Sequence, residues 1–195
     1  MFLSSLLLLP VADQVSILSI FPAFRHTAQK QGTIPAVNIK PPKLTVEMVP
    51  STCHFSNLRS NLSKKDWDVL RIECYRLAGN RCEICGGRGS QHAVECHEVW
   101  AYDDDQHLQM LTGLSALCPG CHKAKHMWLA RQMGWADQAE RQLCRVNGWS
   151  RPEMDFYLEE AFRVYELRSS HSWRLDISWL EGMGVTLPNV LDRKN

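Results

Sequence analysis

Strong charge of either sign is missing from this sequence, and so is an apolar run long enough to cross a bilayer. The formal net charge is +1, and by region it is +3 for residues 1–62, zero for 63–131 and −2 for 132–195. Proteins that grip nucleic acid through many phosphate contacts present a basic face. Affinity of that kind is expected to be modest unless the fold gathers the scattered cations Lys64, Lys65, Arg71, Arg88, Lys123, Lys125 and Arg131. The apolar start, Met1 to Ala12, is too short to span a membrane. It also lacks the Lys or Arg that opens a secretory signal, because the first basic residue is Arg25. We read it as a poorly ordered extension or an upstream start; as a signal, it would imply export. No internal repeat is visible beyond one pair of short cysteine motifs, and no membrane partner is expected.

Those motifs are the informative part. Eight cysteines in a secreted chain would suggest disulfides, but Cys82-x-x-Cys85 and Cys118-x-x-Cys121 have the spacing of metal knuckles. Each lets two sulfurs turn toward one ion, and four thiolates suit tetrahedral Zn²⁺. A reducing, cytoplasmic setting follows as the expectation. Thirty-two residues separate Cys85 from Cys118, enough for a hairpin held between the knuckles. Ala93 to Trp100 has the β-branched and aromatic content of a strand, Asp103-Asp104-Asp105 that of a solvated loop, and Leu108 to Leu117 returns as a second apolar run. Pro119 marks a helix start, and His122 and His126, four residues apart, share one face of that helix. Two imidazoles so placed can chelate one ion.

The segment Cys82 to His126 resembles the HNH endonucleases, the ββα-metal or His-Me fingers that cut phosphodiesters, in the variety with a four-cysteine structural zinc. The resemblance rests on Cys82-Glu83-Ile84-Cys85-Gly86, Glu95-Cys96-His97-Glu98, Gly113 to Cys118, and Cys121-His122-Lys123-Ala124-Lys125-His126. It implies an α+β fold, a small ββα-metal finger packed with flanking helices, acting on nucleic acid and DNA in particular. It also implies His97 as the general base, with Cys96, His122 and His126 holding a catalytic divalent ion: Mg²⁺, Mn²⁺, Ni²⁺ or Zn²⁺. Imidazole suits the base role, with an unperturbed pKa of about 6.5, and one divalent cation can stabilise both the phosphate and the departing oxygen. Lys123 and Lys125 are the candidate phosphate contacts. The chain departs from the family pattern at Cys96, where Asp or His is usual, and at Gly113, where an Asn usually braces the loop of the base. Thr112, Asp104 or Asp105 are alternative braces. A thiolate ligand would favour softer ions over Mg²⁺.

Around the finger (core 80–131), residues 1–43 read as extension and Pro-rich linker, 44–185 as one domain, and 186–195 as a tail. Leu44 to Val49 is a candidate strand, pairing with the alternating run Trp173 to Trp179. Ser63 and Ser150 begin capping boxes, predicting helices over about 64–78 and 153–167, with another over 135–146. Cys53, Cys74, Cys144, His26, His54, His92, His107 and His171 have no evident chelating companion and read as structural or surface residues. Two further classes stay open beside a nuclease. One is a catalytically weak or inactive zinc-containing nucleic-acid-binding module. The other is a structural zinc protein that docks a protein partner through Trp128, Trp135 or Trp149.

Overall fold

The computed structural model describes residues 40–185; the readings of residues 1–39 and 186–195 fall outside the described residues. The fold is α+β. Among the described residues, six α-helices flank one three-stranded sheet: α1 (Leu58–Asn61), α2 (Lys64–Leu77), α3 (Pro119–Lys125), α4 (Met127–Gln132), α5 (Ala136–Asn147) and α6 (Arg151–Ser169). The strands are β1 (Glu95–Asp103), β2 (Leu108–Leu117) and β3 (Arg174–Asp176), in the spatial order β1-β2-β3. No described helix is long and apolar enough to cross a membrane.

Local chemistry sets the boundaries. The Ser63 side chain accepts from the Asp66 N–H at 3.1 Å and starts α2. Ser150 and Glu153 form a reciprocal capping box that starts α6. Such caps are worth about 1 kcal/mol each. Helix α5 stops at Gly148, whose φ of +67° needs no Cβ. β1 and β2 form an antiparallel hairpin with Glu95 opposite Leu117 and Asp103 opposite Leu108, broken by a register shift at Val99/Trp100. The main core lies between the cysteine cluster and the C-terminal helices, where Leu44, Leu117, Met127, Leu143 and Met154 are all fully buried.

Two expectations are corrected. Leu44–Val49 forms no strand, because its N–H groups are taken elsewhere. Leu44 donates to Asn147 Oδ1 (2.9 Å), Val46 to the Tyr157 hydroxyl (2.9 Å) and Glu47 to the Lys125 carbonyl (2.8 Å). The segment is a strap across α3, α5 and α6. The run at Trp173–Trp179 gives only three paired residues, and β3 lies parallel to β2 at Leu108–Met110 rather than against the strap. Its continuation turns into a short 3₁₀ segment, Ser178–Leu180, with Ser178 N–H donating to Asp176 Oδ1 at 2.8 Å. On α2, Leu70 and Cys74 are buried, whereas Leu77 is mostly exposed.

Candidate metal centre

Two groups of ligand-type side chains converge at the junction of the hairpin and α3. The first is Cys82, Cys85, Cys118 and Cys121, whose sulfurs lie within 4.8 Å of one another and could hold a metal ion. The first knuckle is shaped by a Gly86 N–H donating to the Cys82 carbonyl (2.8 Å), with Gly86 at φ +70°. It is fastened to the end of β2 by Glu83, whose N–H donates to the Ala116 carbonyl (2.9 Å) and whose Oε2 accepts from the Ala116 N–H (2.6 Å). Cys85 and Cys118 sulfurs are 3.7 Å apart, and Gln142 of α5 donates to the Cys121 sulfur at 3.1 Å. The Cys82 and Cys121 thiols face each other, and with that contact the backbone N–H groups of the two knuckles favour the thiolate at Cys82.

The second group is His97 of β1 with His122 and His126, one from α3 and one from its C-terminal boundary; their ligand nitrogens also lie within 4.8 Å of one another. Helix α3 ends at His126, where the backbone turns (φ −92°, ψ 50°) before α4. The Nε2 atoms of His122 and His126 approach to 3.1 Å. His122 Nδ1 faces Glu95 Oε2, and Glu95 Oε1 also meets His92 Nε2 at 2.6 Å. That contact with His122 comes first among the causes holding Glu95 down at about 2, against burial.

His97 is 3% exposed. Its Nε2 lies 2.7 Å from Glu47 Oε2, while Glu47 Oε1 pairs with Lys125. Burial would raise Glu47, but the His97 hydrogen bond and the Lys125 charge outweigh it and hold the carboxyl at about 2. A carboxylate so fixed accepts the Nε2 proton. Nδ1 is then left as the bare lone pair, and among the described residues this buried atom has no hydrogen-bond partner. Burial keeps both His97 and His126 neutral, pushing His97 below its ordinary value and His126 to about 3, with the neighbouring imidazoles adding to the effect.

Three of the residues expected at this centre stand elsewhere. Cys96 alternates to the opposite face of β1, where it packs with Cys74, Val94 and Ala116 and has the Cys74 thiol as a hydrogen-bond partner. It is not among the clustered ligands. Lys125 is buried on Glu47 and on Thr45 Oγ1 (2.8 Å). Lys123 donates to Gln138 Oε1 (3.0 Å) and sits 4.9 Å over the Trp135 ring. None of the three alternative braces reaches His97. Thr112 Oγ1 donates to the Val99 carbonyl, Asp104 pairs with Arg168, and the Asp105 N–H caps back onto Asp103. The brace is Glu47, fifty residues before His97 in sequence and without a local motif to mark it. Glu95 was missed as well, although its place beside the Cys96-His97-Glu98 run was a signal that could have found it.

A cavity of about 520 Å³ adjoins β1, the edge strand of the sheet, and is lined by His97, His122 and His126 together with Cys96, Trp67, Trp100 and Trp128. No protein-family model matches the chain, and neither the curated proteins nor the solved structures contain a significant match to it.

Proposed function

We propose that the chain is a metal-dependent nuclease that hydrolyses phosphodiester bonds, with His97 as general base. The observation that carries the reading is the convergence of three imidazoles from a β-hairpin and the following helix, beside a four-cysteine cluster. This order of elements supports the HNH resemblance.

The donor sets fit the ions the reading requires. Zn–S bonds of about 2.3 Å give a tetrahedral edge of about 3.8 Å, and Zn–N bonds of about 2.0 Å one of about 3.3 Å. The Cys85–Cys118 separation of 3.7 Å and the His122–His126 separation of 3.1 Å are close to these values. We assign structural zinc to the four cysteines and a divalent ion to His122 and His126. When bound, that ion supplies positive charge to the phosphate and the leaving oxygen.

The chain's own residues do the rest. Glu47 fixes the His97 ring through Nε2, so that Nδ1 can take the proton from attacking water. Glu95 fixes His122 through Nδ1 and leaves its Nε2 turned toward His126. Neutral burial of His97 and His126 keeps the base able to accept a proton and His126 able to ligate at neutral pH.

A binding module without turnover is the second reading. It is favoured by Gly113, where the family brace is missing and a Cβ would meet nothing within 4 Å. The experiment that separates the two is cleavage of supercoiled plasmid across Mg²⁺, Mn²⁺, Ni²⁺ and Zn²⁺, with folded, zinc-loaded His97→Ala in parallel. Nicking that disappears in the variant supports the nuclease. No cleavage with any ion, or equal cleavage by both proteins, leaves the binding module standing instead.

A further inference from the structure

We propose that the cavity beside the three histidines receives one unstacked nucleobase, so that the preferred substrate is single-stranded nucleic acid rather than a duplex. This rests on the nuclease reading above and names its substrate class.

The cavity's volume, about 520 Å³, lies in the range of small-ligand pockets and leaves room for one nucleotide. Three of the chain's seven tryptophans, Trp67, Trp100 and Trp128, line it, each only partly buried, with Trp67 and Trp100 backed by the apolar cluster around Leu58, Leu70 and Leu111. Indole faces are the sequence-tolerant stacking platforms that single-strand binders use. One of these rings is held in place. Glu98 accepts the Leu58 N–H on Oε1 (2.8 Å) and the Trp100 indole N–H on Oε2 (3.3 Å), so the Trp100 plane is tied to β1 and α1 before any ligand arrives. Arg59, exposed and in no ion pair among the described residues, is the cation on the same wall.

Charge points the same way. Holding a duplex takes many phosphate contacts from a basic surface, yet residues 63–131 carry no net charge. The two lysines nearest the histidines are also committed, Lys125 to Glu47 and Lys123 to Gln138. With so little phosphate attraction, affinity must come from stacking, and stacking requires a base released from its partner strand. Because the three histidines line the same cavity, a base lodged in it keeps its own phosphate near them.

The test is fluorescence anisotropy of the full zinc-loaded chain with a fluorescein-labelled 12-nucleotide single strand and with its duplex, oligonucleotide integrity being checked on a denaturing gel. The single strand is expected to bind at least about tenfold tighter. Trp128→Ala should weaken it by about five- to a hundred-fold while Trp128→Phe retains most of the affinity. Equal or tighter duplex binding overturns the proposal, as does single-strand binding unchanged by Trp128→Ala. If Trp128→Ala fails to load zinc, a single abasic position walked along the strand against the unaltered protein replaces it. One position must then cost the same factor, and loss at none overturns the proposal. Cleavage of the same oligonucleotides is scored separately. Tryptophan-dependent single-strand binding without cleavage by any ion removes the nuclease and keeps the pocket; cleavage with tryptophan-insensitive binding does the reverse.

Discussion

At the scale of single residues, the site depends on a contact rather than on a motif. Glu47 touches His97 with one oxygen and Lys125 with the other, so Glu47→Gln should leave the four-cysteine cluster loaded but let the imidazole turn. Loss of such an orienting group typically costs about 10- to 100-fold in activity, against about 10²- to 10⁴-fold for His97→Ala. Steady-state kinetics with zinc content measured alongside would reveal it; equal losses in the two variants would contradict a positioning role. Acid should act through the same neighbourhood. His126 titrates near 3 in the folded chain and near 6.5 when unfolded, so the unfolded state binds the extra proton between those values. This contribution is complete above about pH 6.5 and is lost as pH falls toward 3, at up to about 1.4 kcal/mol per pH unit. His97 shifts in the same direction. Glu47 and Glu95, held at about 2, prolong the decline below pH 4.5. Urea unfolding of the metal-free chain from pH 7 to 4 measures this, and a flat profile between 7 and 5 would contradict neutral burial of the histidines.

Elements were legible wherever chemistry is local. The knuckles, both strands of the hairpin, the Pro119 helix start and the two serine-led capping boxes are all marked by residues within a few positions of each other. What could not be read depends on distant partners. Leu44–Val49 has strand composition, but Asn147, Tyr157 and the Lys125 carbonyl claim its N–H groups. The resemblance implied Cys96 as a ligand, whereas strand alternation gives it the opposite face from His97. Within the knuckle loop, Gly89 has a requirement the sequence does not show: an added Cβ would stand 2.3 Å from the His92 carbonyl oxygen and 2.7 Å from the Pro119 ring. Both neighbours are rigid, so Gly89→Ala should shift the loop against the start of α3. The expected cost is about 1–3 kcal/mol, seen as a lower thermal midpoint and faster loss of metal to a chelator. Gly113→Ala meets nothing and serves as the control.

For the molecule as a whole, the cysteine cluster that could hold a metal ion is part of the helical core. Leu143 of α5 is fully buried in the cluster that also contains Cys82, Cys118 and Cys121. Leu143→Ala should therefore cost about 2–5 kcal/mol and also weaken metal retention, because Gln142 beside it donates to the Cys121 sulfur. Chelator-resistance and denaturant midpoints measured together would test the link; destabilisation with unchanged metal retention would break it. The strap carries this dependence further. Residues 80–131 contain every proposed ligand and the base, and nothing in that span would warn an engineer against cutting it out. The excised piece would still lack the carboxylate that aims the base, together with the two helices that hold that carboxylate in reach. The smallest portable unit of this chain therefore begins before Leu44 and runs past Tyr157, about twice the length its motifs advertise, and transplanting the motif alone would carry the candidate ligands without the carboxylate that orients His97.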